Sequence, residues 1–132
     1  MMSFIYLASP YSDRDSTVQE YRYQEALRFC AEQMSSRPHI HIFSPIVYGH
    51  QMAKQYDLPG DAAWWQNFNL KFMNACSQMW VLKLPGWDTS LGVTAEIEYA
   101  RGRNLYTEYY NPSEDYTLTR KCGDWLRTHL QY

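Results

Sequence analysis

The chain has few cysteines and no long apolar run, and its charges nearly balance. It holds three cysteines in 132 residues. Three is an odd number, and Cys30, Cys76 and Cys122 lie far apart, each in a helical pattern. Neither a disulfide framework nor a zinc site is expected from them; they read as small core residues in a reducing cytoplasm. No stretch of about 18 apolar residues occurs, so no membrane span is expected. Met1–Phe4 carries no charged segment leading into a long apolar one, so no secretory signal is read there. The net charge is −2, whereas a protein that coats nucleic acid would usually be basic. No internal repeat, linker or low-complexity segment is visible, and nothing calls for a cofactor or a metal.

The chain is instead rich in apolar residues, at 45%, and in aromatics, at 17%. That supports a real core, and the length suits one domain spanning 1–132. Aromatics in this number serve the core or an interface, and some can line a cavity for a flat heterocycle.

Residues 3–8 are a short run of β-formers ended by Ser9-Pro10, which reads as a buried strand. Asp13 to Ser16 offer N-caps, and Tyr23, Ala26, Leu27, Cys30 and Met34 recur at helical spacing, predicting a helix over about 17–35. His39 to Phe43 alternates as a second strand. Ser44-Pro45 stops it, and a long loop through Tyr48, Gly49 and His50 to Pro59-Gly60 follows. Asp61 caps a helix running to about Cys76. Residues 79–84 form a third strand, residues 104–107 a fourth, and Asn111-Pro112-Ser113 opens a last helix. Strands alternating with helices imply an α/β fold of three layers, Rossmann- or flavodoxin-like, with a parallel sheet of four to five strands and helices on both faces. Ligands on such sheets bind beyond the carboxyl ends of the strands, where the strand order reverses. The loops at 9–13, 44–50 and 85–90 all follow strands, so they converge there.

The most informative stretch is Pro85–Ala100. Pro85-Gly86 turns the chain, and Ser90 is a good N-cap for a helix that ends at Gly102, a C′ glycine. Gly92 lets a ligand approach free N–H groups that favour an anion. Val93, Ile97 and Ala100 form one apolar stripe at about 0°, 40° and 340° around the helix, with Glu96 at about 300° and Glu98 at about 140°. Glu96 is therefore aimed toward the protein and Glu98 toward water. An inward carboxylate is either a structural partner of a buried polar group or a catalytic group.

Three segments carry a family likeness: Ile5–Ser12 (IYLASPYS), Asn69–Ser77 (NLKFMNACS) and Gly86–Glu96 (GWDTSLGVTAE). With them the chain resembles the nucleoside 2-deoxyribosyltransferase-like superfamily, in particular its small, often phage-borne members that begin YLASPYS. The Ser-Leu-Gly-Val turn followed by Glu is similar to that of the deoxynucleoside 5′-monophosphate N-glycosidases. The resemblance implies cleavage of an N-glycosidic bond in a nucleoside 5′-monophosphate, including one with a modified base. Glu96 matches the family's nucleophile, and the helix N-terminus should help keep it ionised. Ser90 and Gly92 match the groups that hold the 5′-phosphate. Ser9, Pro10, Tyr11 and Ser12 close the other side, and Tyr6 matches an aromatic position near the sugar. Trp87 and Asp88 sit beside this site, as a wall and a polar contact.

Two positions depart from the pattern. Where the family often has an acid that assists the leaving base, this chain has Asn69, which hydrogen-bonds but does not supply a proton as an acid; Asp88 and Asp61 stand as substitutes. Where the glycosidases carry an arginine in the first loop, this chain has Ser12, with Arg14 nearby. Base exchange, as in the deoxyribosyltransferases, and nucleotide binding without turnover therefore stay open beside hydrolysis. The resemblance also implies a homodimer or higher homo-oligomer. His39 and His41 share a strand face, a spacing that suits a metal but lacks further ligands. His50 reads equally as a ligand contact or a surface residue, and one of Trp64 and Trp65 as a cavity cover or plain packing.

Overall fold

A computed structural model of the protein describes residues 4–59 and 62–112. The predicted cap Asp61, the last helix and Cys122 lie outside the described residues. The elements run β1 (Phe4–Ala8), α1 (Ser16–Ser36), β2 (His41–Phe43), α2 (Pro45–Tyr56), α3 (Ala62–Ala75), β3 (Gln78–Leu82), α4 (Leu91–Gly102) and β4 (Tyr106–Tyr110). All strand pairs are parallel, in the order β2-β1-β3-β4. This is the α/β architecture expected from the alternation of strands and helices, of Rossmann- or flavodoxin-like arrangement.

Alternation along the two central strands sorts the core into two layers. Ile5 and Leu7 of β1 and Trp80 and Leu82 of β3 point to one face, where they meet Phe29 and Cys30 of α1. Tyr6 and Ala8, with Met79 and Val81, point to the other face, against Met73 of α3 and Val93 and Ala100 of α4. The register agrees, since Tyr6 pairs with Met79 and Leu7 with Trp80. The two faces follow from the strand order. The connection from β1 to β2 and the one from β2 back past β1 to β3 run in opposite directions across the sheet. If both crossovers are right-handed, their helices must lie on opposite faces. The strand order therefore reverses at β1 and β3, and a crevice opens above their carboxyl ends.

Some sequence expectations fail. The stretch after Ser44-Pro45 is helix α2, with Ser44 accepting from the Val47 N–H at 3.1 Å and Pro45 in the first turn. Ser-Pro stops a strand, but a capping serine followed by proline is equally a helix start. Gly49 in mid-helix disguised it. That glycine has a packing reason, because a Cβ there would come within 3.0 Å of the Trp65 ring. His39 lies in the turn before β2, so it and His41 do not share a strand face. α4 ends as expected at Gly102, but the left-handed residue is Asn104, at φ 55°. The aromatic excess is spent partly on a ladder along α2 and α3, in which Phe43 stacks on Phe72 at 4.0 Å, Phe72 meets Phe68, and Phe68 meets Trp65 and Tyr48. Among the described residues no helix is long and apolar enough to cross a membrane.

Candidate functional site

The crevice above β1 and β3 is a cavity of about 790 Å³, within the range that holds a small-molecule ligand. Its floor comes from the loop after β1, one wall from α2 and α3, and the other from the loop after β3 and the first turns of α4.

The two strand loops are held together by an arginine that the sequence did not single out. Arg22, on α1, donates to the carbonyls of Ser12 at 3.0 Å and Tyr11 at 3.4 Å, and to that of Pro85 at 3.3 Å. Gly86 makes room for it. That residue has φ 93°, and a Cβ there would lie 2.7 Å from the Arg22 Nη2, so both the backbone and the contact favour glycine. Arg22 is one helical turn before Glu25 and Ala26, and nothing local in the sequence distinguishes it from a solvated charge. Arg14 also lines the cavity, as the sequence suggested, together with Ser12.

At the start of α4, Ser90 caps the helix by accepting from the Val93 N–H at 3.2 Å. The cap occupies the oxygen as an acceptor and leaves the hydroxyl proton for a ligand. Ser90, Leu91 and Gly92 line the cavity at this end, beside Thr89 and Gly86. The positive end of α4 and the Arg22 and Arg14 side chains, which also line the cavity, are groups of the kind that favour an anion.

Glu96 lies in the second turn of α4 and also lines the cavity, while Glu98 faces out and is exposed. Its carboxylate accepts a hydrogen bond from the hydroxyl of Tyr6, which is fully buried in β1. Burial pushes the Glu96 carboxyl up to about 7, against the pull of the Tyr6 hydrogen bond in the other direction. The helix N-terminus does not reverse this, because its field fades beyond the first turn. The Tyr6 hydroxyl is itself raised well above its ordinary value, first by burial and then by Glu96.

Ser9 and Asn69 contribute the other distinctive feature. The Ser9 hydroxyl and the Asn69 Oδ1 are buried with no hydrogen-bond partner among the described residues, and both residues line the cavity. A buried polar atom left unpaired costs about 1–3 kcal/mol, and a ligand with matching groups would remove that cost.

The remaining sequence candidates divide. Tyr11 lines the cavity, whereas Pro10 is buried beneath its loop and Tyr6 reaches the site only through Glu96. Trp87 and Asp88 are corrections. Trp87 is not a cavity wall; it packs on the core beside Tyr109, with ring centroids 5.8 Å apart, and Lys83 lies over its ring. Asp88 is exposed and lines neither the cavity nor the Glu96 surroundings. The turn after Pro85 carries Trp87 onto the core and Asp88 outward before α4 begins. Trp65 takes the place foreseen for an aromatic from α3, while its neighbour Trp64 is half exposed. His50 is no surface residue but a buried member of the cavity wall. Among the described residues no group of three or more His, Cys, Asp or Glu is placed to hold a metal ion.

Fold and site together define a parallel α/β protein with a carboxylate and a helix start facing one cavity at the switch point. The chain belongs to the family described as Domain of unknown function (DUF1937), whose model matches residues 3–110. That span takes in all four strands and every cavity residue named above. No match to the chain is found among curated proteins.

Proposed function

We propose that the protein cleaves the N-glycosidic bond of a nucleoside 5′-monophosphate, with Glu96 as the nucleophile. The observation that carries this reading is the placement of Glu96. Its carboxylate is tethered by Tyr6 through one oxygen, on the wall of a cavity whose far end is the start of its own helix. A phosphate at Ser90 and Gly92, with Arg22 and Arg14 beside it, would leave the sugar within reach of the second carboxylate turn. The tether to Tyr6 leaves the other oxygen to attack C1′. A partly desolvated carboxylate gains strongly from the positive charge that develops on the sugar in an oxocarbenium-like transition state. The Ser9 hydroxyl and Asn69 Oδ1, unpaired among the described residues, are then left for the part of the ligand that is neither phosphate nor C1′, and so serve the base and the sugar hydroxyls. The likeness of the Ser-Leu-Gly-Val…Glu segment to the monophosphate glycosidases points the same way.

The test is incubation of the purified protein with each common ribo- and deoxyribonucleoside 5′-monophosphate, followed by chromatographic separation. Free base and sugar 5-phosphate are the expected products, and Glu96→Ala should yield neither. A Glu96→Ala protein as active as the parent would remove Glu96 from the chemistry. The amide at position 69 favours a second reading, nucleotide binding without turnover, because Asn69 has no acidic proton to give. On that reading the ligand raises the melting temperature and is recovered intact.

A further inference from the structure

Three side chains in and behind one wall of the cavity are left unused by the reading above. His50 of α2 is 4% exposed, and both its ring nitrogens have oxygen partners. The Nδ1 lies 2.6 Å from the Tyr11 hydroxyl and the Nε2 3.0 Å from a Glu20 carboxylate oxygen. The ring stacks on Tyr23 at 4.1 Å with planes 19° apart, which fixes its orientation. The titratable and charged groups facing it are thus Tyr11 from the loop after β1, Glu20 and Tyr23 from α1, and, across Glu20 at 3.2 Å, Lys54 from its own helix.

The position of this chain matters as much as its contacts. Tyr11 and His50 line the 790 Å³ cavity that also contains Glu96 and Asn69. They line as well a second depression of about 470 Å³, in which Glu20 and Lys54 lie. Tyr11 and His50 therefore border both, whereas Glu20 and Lys54 border only the second. Glu20 is held as a carboxylate, its acid pushed down to about 2 by hydrogen bonds from Gln24, His50 and Lys54. A phenol both donates and accepts. It donates to Nδ1 when the imidazole is neutral and accepts from Nδ1–H when the ring is an imidazolium, so a proton moves along this line without displacement of a heavy atom.

We propose that Tyr11 is the catalytic residue that exchanges the proton, giving one to the departing base and taking one from the incoming water, with His50 and Glu20 as positioning residues behind it. The proposal rests on the glycosidase reading and supplies the acid that Asn69 is not. In the first step a Glu96 oxygen bonds to C1′ as the bond from C1′ to the base nitrogen breaks. The base takes the Tyr11 hydroxyl proton, and the Tyr11 oxygen takes the Nδ1 proton of the His50 imidazolium. The ring is left neutral, with its Nε2–H on Glu20. In the second step water bonds to C1′ and Glu96 departs as a carboxylate. The proton from that water passes to the Tyr11 oxygen while the hydroxyl proton returns to Nδ1, so the starting charges are restored.

Leaving-group chemistry tests this. Nitrophenolate departs without a proton, whereas a nucleobase needs one. The parent protein, Tyr11→Phe, His50→Gln and Glu96→Ala would each be assayed on the nucleoside 5′-monophosphates and on the 4-nitrophenyl glycosides of ribose and deoxyribose 5-phosphate. Tyr11→Phe keeps the ring and its edge contact with His50, and its melting curve would be recorded alongside. In kcat/KM, which reports the first step, Tyr11→Phe should lose about 10²–10⁴-fold on the nucleotides, the usual worth of a general acid, and only a few-fold on the nitrophenyl substrates. His50→Gln should lose roughly tenfold or more in kcat/KM on the nucleotides alone, and Glu96→Ala should fail on every substrate. Equal losses of kcat/KM on both substrate types for Tyr11→Phe, or no loss, would overturn the relay. So would a parent protein that releases nitrophenolate but no base, and that result would leave Glu96 in its role. A parent that cleaves neither substrate would overturn the glycosidase reading and the relay with it.

Discussion

The Tyr6 hydroxyl donates a hydrogen bond to the Glu96 carboxylate across 90 positions of sequence. One residue is a strand side chain buried beneath the sheet's second face, and the other stands in the second turn of the helix that covers it. Tyr6→Phe removes the group that lowers the Glu96 acid against the effect of burial. The acid limb of any Glu96-dependent activity, expected near pH 7 in the parent, should therefore move to higher pH. A pH–rate profile of the variant checks this; an unmoved limb would detach Tyr6 from Glu96 function.

Glu96 also makes a stability prediction of definite sign. Its folded-state acid sits at about 7 against an ordinary 4.5, so the folded state binds the proton more tightly than the unfolded one. Stability then falls as pH rises from about 4.5 to 7 and levels off above that range. The full difference is at most roughly 3 kcal/mol, at about 1.4 kcal/mol per pH unit. Glu96→Gln should thus melt close to the parent at pH 4 and above it at pH 8. Thermal melts at the two pH values give the answer, and a variant less stable than the parent at pH 8 would contradict it.

Asn69→Leu should separate stability from binding. The Asn69 Oδ1 is buried without a partner among the described residues, and replacing an unpaired polar group by an apolar one of similar size recovers about 1 kcal/mol or more. The free variant should melt higher than the parent, while the rise in melting temperature given by nucleoside 5′-monophosphates should shrink or vanish. A variant that is destabilised and still shifted by ligand would argue that Asn69 is a structural group.

Gly86→Ala should damage the loop clamp. The substitution forces an L-residue to φ 93° and drives a Cβ into Arg22. A loss of about 1–3 kcal/mol in urea denaturation is expected, from backbone strain together with displaced hydrogen bonds. Gly102→Ala serves as the control, since a Cβ there meets nothing within 4 Å; it should be neutral or slightly stabilising.

Ser90→Ala should cost about 1 kcal/mol of stability through the lost cap. On the proposed function it should also raise KM for nucleoside 5′-monophosphates more than for the unphosphorylated nucleosides. Isothermal binding to both ligand types is the measurement, and equal weakening would place the phosphate elsewhere.

Much of this site was legible from local pattern. The inward aim of Glu96 followed from the apolar stripe of Val93, Ile97 and Ala100, and the Ser90 cap from residue type and position, because both depend only on helix geometry. Helix α2 was missed because Ser44-Pro45 is an ambiguous signal and Gly49 looks like a breaker until Trp65 is seen against it. Trp87 and Asp88 were misplaced because a turn at Pro85-Gly86 says where the chain reverses, not which way its side chains then point. Arg22 gave no local sign at all, and His50 read equally as a ligand contact or a surface residue because its partners are distant in sequence.

Alternation of strand and helix determined the parallel sheet by itself, since parallel neighbours require crossovers and crossovers here are helices. Period and capping chemistry likewise determined which face of α4 is buried. Only the tertiary structure decided what meets across the crevice: Tyr6 on Glu96, Arg22 between two loops, and His50 between Tyr11 and Glu20. Those contacts join residues tens of positions apart, and their existence depends on strand order and side-chain direction, which no short window of sequence contains.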